Sequence, residues 1–96
     1  PVYDIRRPEE WRKTGVVKDS KLLTFVNSSG RVVPDFLPRF TSEVGKNDPV
    51  ILICRTGSRT NTLARHLVEQ MGYTNVFIVR NGISQWISDK RPITRL

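Results

Sequence analysis

The chain has 96 residues, 38% hydrophobic and 26% charged, and its 16 Lys and Arg outweigh nine Asp and Glu to give a formal charge of +7. That length fits one compact domain over residues 1–96 with no room for a second core, and nothing approaches the ~18 consecutive apolar residues of a membrane span. The single cysteine excludes an internal disulfide framework and a multi-cysteine metal site, while the excess of base is compatible with an anionic partner or with a simply solubilising surface.

Val2-Tyr3-Asp4-Ile5 predicts a short strand that starts almost at residue 1, so further residues are expected upstream of it. Pro8 to Lys13 predicts a short helix, with proline in its first turn, acids before bases along the helix dipole, and Gly15 as its stop. Lys21 to Phe25 predicts a second strand, and Asn27-Ser28-Ser29-Gly30 is turn chemistry. Phe36, Leu37, Phe40 and Val44 suggest a helix from Asp35 to Val44, in tension with Pro34 and Pro38. After the turn at Asn47-Asp48-Pro49, Val50-Ile51-Leu52-Ile53 is a continuous apolar run, as in a strand buried on both faces.

The loop Cys54-Arg55-Thr56-Gly57-Ser58-Arg59 then leads into an amphipathic helix in which Leu63, Ala64, Leu67, Val68 and Met71 share one face, with Gly72 as its stop. Val76-Phe77-Ile78-Val79 predicts another buried strand, and Asn81-Gly82 turns into a short helix around Trp86. Strand, helix, strand, helix implies an α/β fold with a parallel sheet covered on both sides. The excess charge lies mainly in residues 49–96, with seven basic and two acidic side chains against nine and seven in residues 1–48. No run of like charge exceeds two residues and no aromatic stacking platform accompanies the bases, so nucleic acid is not the expected partner.

Cys54 stands at the carboxyl end of a central strand, where ligands bind in open α/β sheets. The amides of a tight loop entering a helix converge on one point, and the helix dipole adds positive potential there. Cysteines in such surroundings have thiol pKa values lowered to roughly 3.5–7.5, which makes thiolate available at neutral pH. Arg55 and Arg59 add charge, and Gly57 permits a tight backbone approach. A cysteine closing an apolar strand is ordinarily a packing residue, but one followed by two arginines, a glycine and two hydroxyls reads as a nucleophile.

Cys54-Arg55-Thr56-Gly57-Ser58-Arg59-Thr60 resembles the active-site loop of rhodanese-domain sulfurtransferases of the single-domain type. Asp4-Ile5-Arg6 with Glu9-Glu10-Trp11 and Gly15 resembles the family's amino-terminal motif, and Asn81-Gly82 with Trp86 its carboxy-terminal one. The resemblance implies a three-layer fold with a five-stranded parallel sheet between helices, and a further strand and helix upstream of residue 1. It also implies that Cys54 takes the outer sulfur of thiosulfate, polysulfide or a similar small anionic donor as a persulfide, and passes it to an external thiol or cyanide. The amides of Arg55, Thr56, Gly57, Ser58 and Arg59 would surround that sulfur, with no metal or organic cofactor required.

Arg55 would attract the donor, whereas Arg59 reads more readily as scaffolding tied to a carboxylate. Asp4 and Arg6 are candidates for the edge of the site, with an ion pair fixing the turn as the simpler reading. His66 falls on the helix side opposite the apolar stripe and is not expected to act as a base, and Trp11 and Trp86 read as packing. Two other readings stand beside the enzyme: a rhodanese-like docking or regulatory module, and a cysteine phosphatase. The second is disfavoured because only four residues separate Cys54 from Arg59, where such phosphatases have five. A soluble protein of cytoplasm or periplasm is expected, with nothing to choose between them.

Overall fold

A computed structural model describes residues 1–96. Its strands are β1 (Val2–Asp4), β2 (Lys21–Leu22), β3 (Val50–Ile53) and β4 (Val76–Ile78); its helices are α1 (Pro8–Thr14), α2 (Phe36–Glu43), α3 (Ser58–Gln70) and α4 (Gly82–Ser88). All the pairings are parallel, in the order β2-β1-β3-β4. Asp4 is flanked by Leu22 on one side and Ile53 on the other, so the carboxyl ends of the two central strands lie level.

The sheet therefore has four strands where the resemblance implied five. Outside the strands only isolated antiparallel bridges form, Val16 to Thr94 and Val26 to Val32. The strand expected over residues 21–25 is regular only at Lys21 and Leu22. Leu23 and Phe25 still donate to the carbonyls of Asp4 and Ile5, so that segment continues beside β1.

Connection handedness sets the layers. The step from β1 to β2 runs one way across the sheet, while those from β2 to β3 and β3 to β4 run the other way. Right-handed crossovers then put α1 on one face and α2 and α3 on the opposite one. On the α2/α3 face the period of two brings Tyr3, Ile5, Val50, Leu52 and Cys54 against Phe36, Phe40, Leu63 and Leu67, all buried. Phe40 lies 5.1 Å from Tyr3, 5.6 Å from Phe36 and 5.9 Å from Tyr73 between ring centroids, the hub of an aromatic cluster. Such pairs add about 0.5–1.5 kcal/mol each beyond the area they bury.

Helix α3 docks along Thr60, Leu63 and Leu67, one helical stripe. Val68 is 50% exposed and not part of that face, because it lies one residue, and so ~100°, beyond Leu67. No helix is long and apolar enough to cross a membrane.

Candidate active site

Strand order reverses between β1 and β3, and the crevice outside their carboxyl ends is where doubly wound sheets bind ligands. Cys54 follows β3 at this point, while Asp4 ends β1 and Arg6 follows it at the same edge. Cys54 is 1% exposed. Its Sγ accepts the Gly57 N–H at 3.1 Å and lies 3.5 Å from Thr60 Oγ1, whose hydroxyl donates to the Gly57 carbonyl at 3.0 Å. Gly57 has φ +119°, a conformation L side chains rarely adopt, which explains glycine in the bend that turns its amide to the sulfur.

The N–H groups of Arg55, Thr56, Ser58 and Arg59 donate to no acceptor in the protein. Arg55, Thr56 and Ser58 are exposed, so the loop is a thin wall between the sulfur and solvent.

One ion pair ties this wall to α1, and a second fixes the neighbouring end of β1. Arg59 binds Glu10 with both terminal nitrogens, at 2.7 and 2.9 Å, joining the start of α3 to α1. Glu10 also accepts the Arg7 amide at 3.1 Å, capping the first turn of α1. The Arg59 hydrogen bonds, opposed by burial and helped by the Arg7 amide, hold the Glu10 carboxyl down to about 2. Arg59 is thus tied to a carboxylate as scaffolding. Arg6, 1% exposed, grips both oxygens of the fully buried Asp4, 2.8 Å at the shortest, and reaches Thr14 Oγ1 and the Gly15 carbonyl. The ion pair expected at the strand end is present and extends to the far end of α1.

The amino end of α4 forms the third side. Ile83 N–H donates to the Cys54 carbonyl at 2.8 Å and Ser84 N–H to the Arg55 carbonyl at 3.0 Å. Between α1 and α4, next to the loop, lies a cavity of about 230 Å³ lined by Arg6, Glu10, Lys13, Thr14, Arg55 and residues of α4 including Ile83 and Ile87. Arg6 and Glu10 are neutralised by their partners, whereas Lys13 and Arg55 have no carboxylate within reach and leave the cavity positive.

The sequence motifs contain Thr60 and Glu10 without giving either a role in the site, and they do not point to the α4 amides. Thr60 had a visible signal, a hydroxyl directly after the loop; Glu10 reads locally as an α1 capping residue, and a backbone amide carries no residue-type signal. His66 is exposed on α3, away from the loop. Trp86 donates to the Pro92 carbonyl and stacks with Arg91, while the indole N–H of Trp11 is buried without a partner. No three His, Cys, Asp or Glu side chains converge where a metal ion could be held.

The rhodanese-like domain family matches residues 1–89 of the chain. A sulfurtransferase of Allochromatium vinosum is 31% identical over 92 residues, covering 96% of this chain and 76% of that protein. The thiosulfate sulfurtransferase GlpE of Actinobacillus pleuropneumoniae is 40% identical over 55 residues, 57% of this chain and half the length of that relative. Among solved structures, a rhodanese-related protein of Thermoplasma volcanium superposes with a TM-score of 0.71 over 97% of this chain and 81% of its own, at 22% identity, a likeness of fold.

Proposed function

The chain belongs to the rhodanese-like domain family, and from that premise we propose that it is a sulfurtransferase that works through a persulfide on Cys54. The thiolate of Cys54 attacks the outer sulfur of thiosulfate; a new S–S bond forms to Cys54, the S–S bond of thiosulfate breaks, and sulfite leaves with the electron pair. Cyanide or a thiolate then attacks the terminal sulfur, departs as thiocyanate or a persulfide, and returns Cys54 to thiolate. No oxidant or reductant enters, and two half-reactions on one nucleophile predict ping-pong kinetics.

The observation that carries this reading is the supply of free amides in the loop that follows Cys54. One donates to the sulfur already, and four have no acceptor in the protein. Donors held in place before charge arrives are the most effective way to stabilise an anion in a site shielded from water. Arg55, exposed and without a carboxylate partner, and Lys13 across the cavity supply the field that draws a small anionic donor. Arg59 is engaged on both terminal nitrogens by Glu10, which speaks against the phosphatase reading, where that arginine would hold the phosphate.

Intact mass spectrometry after exposure to thiosulfate, polysulfide or mercaptopyruvate tests the proposal. Wild-type protein gains one sulfur that cyanide removes, and Cys54→Ser gains none. Absence of any sulfur adduct with all three donors would hand the function to a docking role instead.

A further inference from the structure

The turn into α4 carries more constraint than ending β4 requires. Asn81 and Gly82 both have positive φ, +60° and +61°. A Cβ built on Gly82 would lie 2.4 Å from the Cys54 carbonyl oxygen, 2.5 Å from that of Arg55 and 2.6 Å from the Arg55 carbonyl carbon. These are backbone atoms, which cannot swing aside. Just beyond this contact, the amides of Ile83 and Ser84 take the same two carbonyls.

In a trans peptide the carbonyl of one residue and the N–H of the next point in opposite directions. Fixing the Cys54 and Arg55 carbonyls toward α4 therefore turns the Arg55 and Thr56 N–H groups away from α4. Cys54 packs with Leu63 and Leu67 on the α2/α3 face, so that is also the side of the sheet on which its sulfur lies. Neither amide finds an acceptor in the protein.

We propose that the first turn of α4 is the brace that orients the Cys54 loop, with Gly82 as its positioning residue. Ile83 and Ser84 hold two loop peptides by their carbonyls so that the opposite amides face the sulfur added to Cys54. Gly82 is the residue whose missing side chain lets α4 approach closely enough to do so. The inference rests on the persulfide reading and extends it to the backbone of the first turn of α4.

The test compares Gly82→Ala and Ser84→Pro with Gly72→Ala. Gly72 also has positive φ, +75°, but a Cβ there meets only the Lys46 side chain at 3.8 Å, so Gly72→Ala carries the conformational cost without touching the loop. Ser84→Pro deletes the N–H given to Arg55, one of the first-turn amides that have no partner within the helix itself. Two rates are read on each protein: single-turnover sulfur uptake from thiosulfate, and alkylation of Cys54 by iodoacetamide. Uptake leaves an anionic terminal sulfur that needs the Arg55 and Thr56 amides; alkylation leaves a neutral thioether that does not.

The brace predicts uptake at least tenfold slower in Gly82→Ala and Ser84→Pro, alkylation within about threefold of wild type, and Gly72→Ala unchanged in both. If Gly82→Ala does not fold, Ser84→Pro carries the test. Unaltered uptake in a folded variant overturns the proposal, as does an equal fall in both rates, and so does failure of both variants to fold, which would make the turn a folding element only. A wild-type protein that takes up no sulfur from thiosulfate, polysulfide or mercaptopyruvate overturns the sulfurtransferase reading and the brace with it. Normal wild-type uptake with unaltered variants overturns the brace alone.

Discussion

Glu10 serves two elements at once, capping α1 through the Arg7 amide and holding Arg59 at the start of α3. Its carboxyl sits near 2, below the ordinary glutamate value of 4.5, because both contacts favour the charged form. A carboxyl depressed in the folded state contributes stability that is complete above the unfolded value and is lost as pH falls through the folded one. That window runs from about 4.5 down to about 2. At ~1.4 kcal/mol per unit the contribution is on the order of 3 kcal/mol, less whatever solvent screening removes from a pair that is not fully buried. Urea titrations at pH 6 and pH 3 check it: Glu10→Gln should lose stability at pH 6 and show a flatter fall toward pH 3 than wild type. The role of Arg59 was legible in outline, since an arginine beginning a helix needs a partner. Its partner was not, because 49 positions separate the two residues and the pairing exists only once α1 and α3 share an edge.

At the scale of elements, the arch from β1 to the end of α1 is held from within. Arg6 joins Asp4 at the strand end to Thr14 and Gly15 at the helix end. Removing Asp4 leaves a buried guanidinium with neutral acceptors only, and Asp4→Ala is expected to cost about 3–5 kcal/mol, read as a lower urea midpoint. The elements themselves were legible in proportion to their length and periodicity. The apolar run at Val50–Ile53 and the stripe in α3 stand clear of their surroundings. Residues 21–25 do not, since pairing there continues through Leu23 and Phe25 without a regular strand. Val68 marks the resolution of the helical stripe, because one residue of rotation separates the docked face from the exposed flank.

At the scale of the molecule, the order β2-β1-β3-β4 places residues 4–15, 54–60 and 82–84 around one point. Hydrophobic periodicity reveals each strand but not its neighbours, so the candidate loop could be read from sequence while two of its three supports could not. Cys54 is the only thiol, 1% exposed beneath a loop that Glu10 and the α4 amides hold in place. The same enclosure makes the sulfur a gauge of folding. A bulky aromatic disulfide reagent, too large for the loop, can reach Cys54 only when one segment lifts away. Its labelling rate in native buffer should track how often such a segment opens, falling as stabilising salt is added and rising with Asp4→Ala. A rate indifferent to both would reveal a private door through the loop. Such a rate would time the parting of segments that are far apart in the chain.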